Sequence, residues 1–121
     1  MSRVVHFEVL ADDPARAVEF YQNVFGWEAT KWDGPEDYWL TTTGADDQLG
    51  INGGIMKSQG APMAVNTIDV SSVDEMAAKV EASGGKVVVP KSTVPGIGYM
   101  VYCLDTEGVM FGMMEMDTSA K

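Results

Sequence analysis

A chain of 121 residues with one cysteine, Cys103, and a net charge of −10 is large enough to bury one core but cannot build an internal disulfide framework. The charge excludes a nucleic-acid phosphate surface, which needs clustered Lys and Arg where this sequence scatters eight; the acidity serves solubility or, more sharply, attracts a cationic ligand. No secretory or membrane-spanning pattern is read in the opening MSRVVHFEVL, so a soluble cytoplasmic protein with no membrane partner is expected.

Val4 to Leu10 alternates as a strand with two differently used faces. Asp13-Pro14 starts a helix over Pro14 to Phe25, with Ala17, Phe20, Tyr21 and Val24 on its apolar stripe and Gly26 to end it. Strands are predicted at Trp27 to Trp32, Tyr38 to Thr43 and Ile51 to Met56, parted by turn-rich stretches. The order then repeats. Ala64 to Val70 is a strand, Ser72 and Glu75 form a capping box, and Val73, Met76, Ala77 and Val80 make the stripe of a second helix closed by Gly84-Gly85. Strands at Lys86 to Val89, Tyr99 to Leu104 and Val109 to Met114 complete the copy, the last two joined through Thr106-Glu107-Gly108.

Placing Asp13 over Ser72 relates the two halves by an offset of 59, which also puts Gly26 on Gly85. A half of that length is marginal alone. The chain therefore reads as one α+β domain over residues 1–121 made of two tandem βαβββ modules, about 3–58 and about 62–117.

The opening HFEVLADDPARAVEFYQNVFGW, the closing DTEGVMFGMME and the tandem βαβββ order resemble the vicinal oxygen chelate superfamily, which includes glyoxalase I, bleomycin resistance proteins and extradiol dioxygenases. The resemblance spans roughly Val4 to Glu115. It implies that the modules form an open, curved sheet cavity with the helices outside, and that a divalent metal is held there by the first and last strand of each module.

His6 matches the first-strand ligand position of that pattern. Its counterpart at offset 59 is Val65, the closing-strand glutamate position falls on Gly112, and the same offset returns Gly53. Three of the four positions thus lack a side-chain donor, and Glu115 falls on the opposite strand face. Zinc and hard-cation sites need more ligands than His6 with Glu8 supplies, so no tightly bound metal or other cofactor is expected; a weakly bound divalent ion is the alternative.

With His6 facing inward, alternation sends Glu8 the same way and Phe7 and Val9 toward the helix. In the copy Thr67 and Asp69 turn inward, as do Met110, Gly112 and Met114, while Phe111 and Met113 turn under the helices. His6 and Glu8 are close enough for acid–base work, or equally for a polar pair without chemistry. Thr67, Asp69, Tyr38, Tyr99, Met110 and Met114 are the candidate ligand-binding residues, and Ser92 to Gly98 is a candidate lid or a plain crossover. Cys103, without a basic neighbour, reads as a small buried hydrophobe.

The function that follows is a small-molecule binding protein of the glyoxalase/bleomycin-resistance type with a degenerate metal site, sequestering a cationic or aromatic ligand, and pairing as a homodimer. The alternative is a lactoylglutathione-lyase-like lyase or isomerase using His6 and Glu8. A pure interaction module has no motif behind it.

Overall fold

Two capped helices and eight strands make up the computed structural model, which describes residues 1–121. In chain order they are β1 (Val4–Ala11), α1 (Pro14–Phe25), β2 (Glu28–Lys31), β3 (Tyr38–Thr42), β4 (Gly53–Lys57), β5 (Met63–Asp69), α2 (Val73–Ala82), β6 (Lys86–Val94), β7 (Gly98–Leu104) and β8 (Met110–Met116). This is the expected α+β class with βαβββ read twice. Contacts group the chain into two units, one of His6–Val65 and one of Asn66–Lys121 together with Met1–Val5.

In the His6–Val65 unit, Asp13 Oδ1 accepts the Arg16 amide at 3.2 Å, Pro14 occupies the first turn, and Gly26 at φ 75° ends α1 in the left-handed region that glycine tolerates. The strands lie in the order β2-β3-β4-β1, with β1 and β4 parallel and the other neighbours antiparallel. Tyr21 stacks on Trp27 at 4.7 Å between centroids, and Phe7 and Phe25 close on the same indole. These ring contacts hold α1 to its sheet, yet no α1 residue is fully buried.

The second unit repeats the plan in the order β5-β8-β7-β6, with β5 and β8 parallel. Ser72 caps α2 through the Glu75 amide at 3.2 Å. Here the helix packs closely: Val70, Val73, Val101, Cys103 and Met113 form a buried cluster, and Met76, Ala77 and Val80 of α2 lie against it. Burial pushes the Cys103 thiol above its ordinary value of 9.0, in keeping with the reading of it as a small hydrophobe and not a nucleophile. Asn66–Asp69 of β5 meets the start of the chain, the Asp69 amide donating to Arg3 O at 2.9 Å.

The proposed lid at Ser92 to Gly98 is a correction. Ser92, Thr93 and Val94 pair with Met100, Tyr99 and Gly98 in a hairpin, and the Ile97 amide closes its turn on Val94 O at 3.0 Å. The segment is the end of a β6–β7 hairpin, neither an unpaired loop nor a crossover.

Met113 is 2% exposed at the centre of the cluster, so Met113→Ala should lower unfolding stability by ~2–5 kcal/mol. Val109→Ala, at a position 60% exposed, should stay within ~0.5 kcal/mol of wild type. Urea denaturation of the two variants checks the placement of the core; equal losses would contradict it.

Candidate functional site in the first unit

The face of the first sheet turned away from α1 is set by its strand register. Glu8 pairs with Gly54, Leu10 with Met56, Tyr38 with Met56 and Leu40 with Gly54, and paired residues project to one side. His6, two residues before Glu8, shares that side. The structure thus brings together His6, Glu8 and Tyr38, three of the residues singled out in the sequence.

Gly54 permits the arrangement. A Cβ at this position would fall onto the hydroxyl and ring carbons of Tyr38; with only hydrogen there, the phenol lies down across β4. Its oxygen reaches His6 Nε2 at 2.7 Å, with the two rings inclined by only 12°. Glu8 is 4% exposed. A neutral imidazole, a phenol and a buried carboxylate therefore share one wall with Leu10 and Met56.

Burial lowers the His6 pKa from its ordinary 6.5, and the nearby Glu8 carboxylate acts in the opposite direction. Desolvation is the larger effect, because removing the imidazolium from water costs more than one carboxylate returns. At neutral pH the ring is uncharged. When its hydrogen is on Nδ1, Nε2 accepts the Tyr38 proton.

The residues do not fit the metal that the family pattern implies. Register shows that the counterpart of Gly112 on β4 is Gly54, since Thr67 pairs with Gly112 as Glu8 pairs with Gly54. The Gly53 assignment is corrected by one residue: Gly53 pairs with Phe7 and belongs to the helix-facing side. Either way the position has no donor, and the space a ligand side chain would use is filled by Tyr38. Val65 is an apolar residue with no exposed surface. No three His, Cys, Asp or Glu side chains gather into a metal-holding group.

In the second unit, Thr67, Gly112, Met110 and Met114 do share the face away from α2, with Met100 and Tyr102 added from β7. Thr67 Oγ1 is buried and has no hydrogen-bond partner. Asp69 follows on the same side but is exposed. Tyr99 is a correction: it pairs with Glu115 and packs against the α2 cluster, one side chain over from Val101. Lys91 Nζ sits 4.6 Å from the centre of its ring. Glu115 stays on the helix side as expected, its Oε1 accepting the Val73 amide at 3.0 Å at the start of α2.

Sequence reasoning missed Met100 and Tyr102 as lining residues and the role of Gly54. The signal available was alternation along β7 counted back from the Asp105 turn, where Asp105 O accepts the Gly108 amide at 3.2 Å; it fixes Leu104, Tyr102 and Met100 on one side.

A model of the Glyoxalase/Bleomycin resistance protein/Dioxygenase superfamily matches residues 3–113. No curated protein matches the chain. Among solved structures, a hypothetical protein from Bacillus halodurans C-125 is similar at 12% identity and TM-score 0.70, covering 99% of this chain and 98% of the other. Methylmalonyl-CoA epimerase from Mycobacterium tuberculosis matches at 14% identity and TM-score 0.66, over 94% and 87%. A NAD-dependent benzaldehyde dehydrogenase from Legionella pneumophila matches at 15% and 0.65, over 93% and 98%. Identities this low show a shared fold, and a fold does not carry a reaction with it.

His6 is the only histidine, so its ring signals can be followed by NMR without ambiguity. The midpoint should lie below 6.5, and Glu8→Gln, which removes the opposing charge, should move it lower still; a midpoint above 6.5 would contradict the burial argument. Well above pH 6.5, by about a unit or more, the ring is neutral in both states and adds no pH dependence. As pH falls below 6.5 the unfolded chain binds the proton first, so stability declines until the folded-state midpoint is passed. His6→Asn should flatten that part of the stability profile.

Proposed function

The chain belongs to the Glyoxalase/Bleomycin resistance protein/Dioxygenase superfamily, and within it we propose that this protein is a metal-independent small-molecule binder whose ligand is an organic cation with an aromatic or apolar body. The observation that carries this reading is the Tyr38 ring lying over Gly54 with its hydroxyl on His6. The family's metal-binding face is here occupied by protein side chains.

Glu8 supplies the polar selectivity. A carboxylate 4% exposed interacts more strongly with a cation brought against it than a surface carboxylate does, because little water remains to screen the pair. The Tyr38 ring offers a π face to the same cation, and Leu10 and Met56 offer apolar contact. A net charge of −10 raises the local concentration of cations before contact. No helix is long and apolar enough to cross a membrane, and the buried thiol of Cys103 suits a reducing, cytoplasmic setting.

One observation favours a second reading. The neutral His6 beside Glu8 and Tyr38 is a proton-handling set, as a lyase or isomerase of this family would need. Turnover distinguishes the two.

A thermal-shift series with aromatic amines and quaternary ammonium compounds should raise the unfolding midpoint, and the matching aromatic carboxylates should not. Glu8→Gln should weaken the best cation by ~10-fold or more, the loss of one charge-assisted contact. Preference for the carboxylates, or turnover of methylglyoxal–glutathione hemithioacetal that appears with added nickel or zinc and vanishes in His6→Ala, would overturn the reading.

A further inference from the structure

Methionine crowds one face of the second unit in a way that core filling does not require. The residues of β8 that turn away from α2 are Met110, Gly112, Met114 and Met116, so every side chain this strand presents on that face is a thioether. Strand β7 adds Met100, paired directly with Met114. None of these four methionines belongs to the buried cluster under α2, and Met116 is 64% exposed. At an exposed strand position a β-branched side chain fits the pleat better than flexible, unbranched methionine. Packing therefore does not account for the choice.

We propose that Met100, Met114 and Met116 hold a soft monovalent cation, copper(I). Met100 and Met114 are cross-strand neighbours, ~5 Å apart at Cβ, and Met116 lies on the diagonal at ~8 Å, a separation that long side chains span. Glycine makes the room: Gly98 stands opposite Met116, and Gly112 precedes Met114 on the same face. The Met100 methyl rests over Gly112, 2.6 Å from where a Cβ would stand. Three rotatable bonds let its sulfur turn back toward Met114 and Met116. Met110 is four residues from Met114 along the strand, ~13 Å, too far to share the ion, and Met113 turns into the buried cluster.

The donor type selects the ion. Thioethers are neutral and soft. Hard cations need several oxygens, zinc takes thiolate, imidazole or carboxylate, and thioethers favour copper(I). Binding is coordination alone; no proton is released and no electron moves. Three neutral sulfurs leave the positive charge of the ion uncompensated, and Asp69 supplies the counter-charge: it pairs with Met114 from β5, shares the face and is exposed. The overall charge of −10 raises the local concentration of cations.

None of the three sulfurs stands where the resemblance implies a metal ligand. The site uses residues of the second unit only, and its test is independent of the Glu8 reading of the first.

Protein carrying carbon-13 in its methionine methyl groups, titrated under nitrogen with tetrakis(acetonitrile)copper(I), provides that test. The Met100, Met114 and Met116 signals, assigned by single Met→Leu variants, should move together and saturate at one ion per chain, while Met76 of α2 keeps its position. Zinc in place of copper should move none of them. Met114→Leu and Met116→Leu should each weaken binding by ~10-fold or more, no less than the loss of a supporting residue costs a metal site, with an unchanged far-ultraviolet dichroism spectrum. Met116 is exposed, so its variant tests the site even if Met114→Leu disturbs folding. The absence of a saturable shift overturns the proposal, as does a shift confined to the exposed Met1 and Met63. Undiminished one-to-one binding in Met116→Leu, or binding that is lost in His6→Ala or Cys103→Ala and not in the methionine variants, overturns it equally.

Discussion

The absence of a side chain at Gly54 is the constraint from which the chemistry of the first unit follows. A single methyl group there would collide with the Tyr38 hydroxyl and ring. Without it, the phenol lies flat across the strand and its oxygen reaches His6 at 2.7 Å. The resemblance implies a metal ligand at this point; this chain places an aromatic ring over a glycine. His6 thereby becomes a hydrogen-bonded neutral ring, and Glu8, paired across from the same glycine, becomes the main source of negative charge on that wall.

The second unit repeats the substitution with different residues. Gly112 lies under Met100 and Tyr102 as Gly54 lies under Tyr38, and Thr67 stands where Glu8 stands in the copy. One unit therefore keeps a charged group and a titratable ring, whereas the other keeps a buried hydroxyl among thioethers. The helices have diverged as well. Helix α2 spends its apolar stripe on its own sheet, while α1 is held by the Tyr21, Phe25 and Trp27 rings and leaves half its stripe outside. Duplication preserved backbone order and released the side chains to take up different tasks.

Most of the architecture was legible in the sequence because it is written locally. The Asp13-Pro14 cap, the Ser72–Glu75 box and Gly26 fix both helix starts and one end from a few neighbouring atoms, and the offset of 59 holds from His6 through α2. The errors arose where long-range register decides. Counting with a constant offset put Gly53 opposite Gly112, but the connections between strands differ by one residue, and a one-residue slip exchanges faces. Tyr99 is a different case: alternation along β7 back from the Asp105 turn already sets it opposite Met100 and Tyr102, and its pairing with Glu115 agrees. Ser92 to Gly98 carries glycine and proline in a loop-like pattern, yet pairing with β7 extends the strand through Val94. The His6–Tyr38 contact joins residues 32 apart in sequence, a distance over which no spacing rule applies.

Tyr38 lying over Gly54 with its hydroxyl on His6 fills the face where the resemblance implies a metal. Zinc titrated into the protein while the His6 ring signals are followed by NMR tests it most directly. The account predicts that those signals keep their positions through an excess of zinc, with the Tyr38 hydrogen bond intact. A saturable one-to-one shift of the His6 ring, lost in His6→Ala, would contradict it.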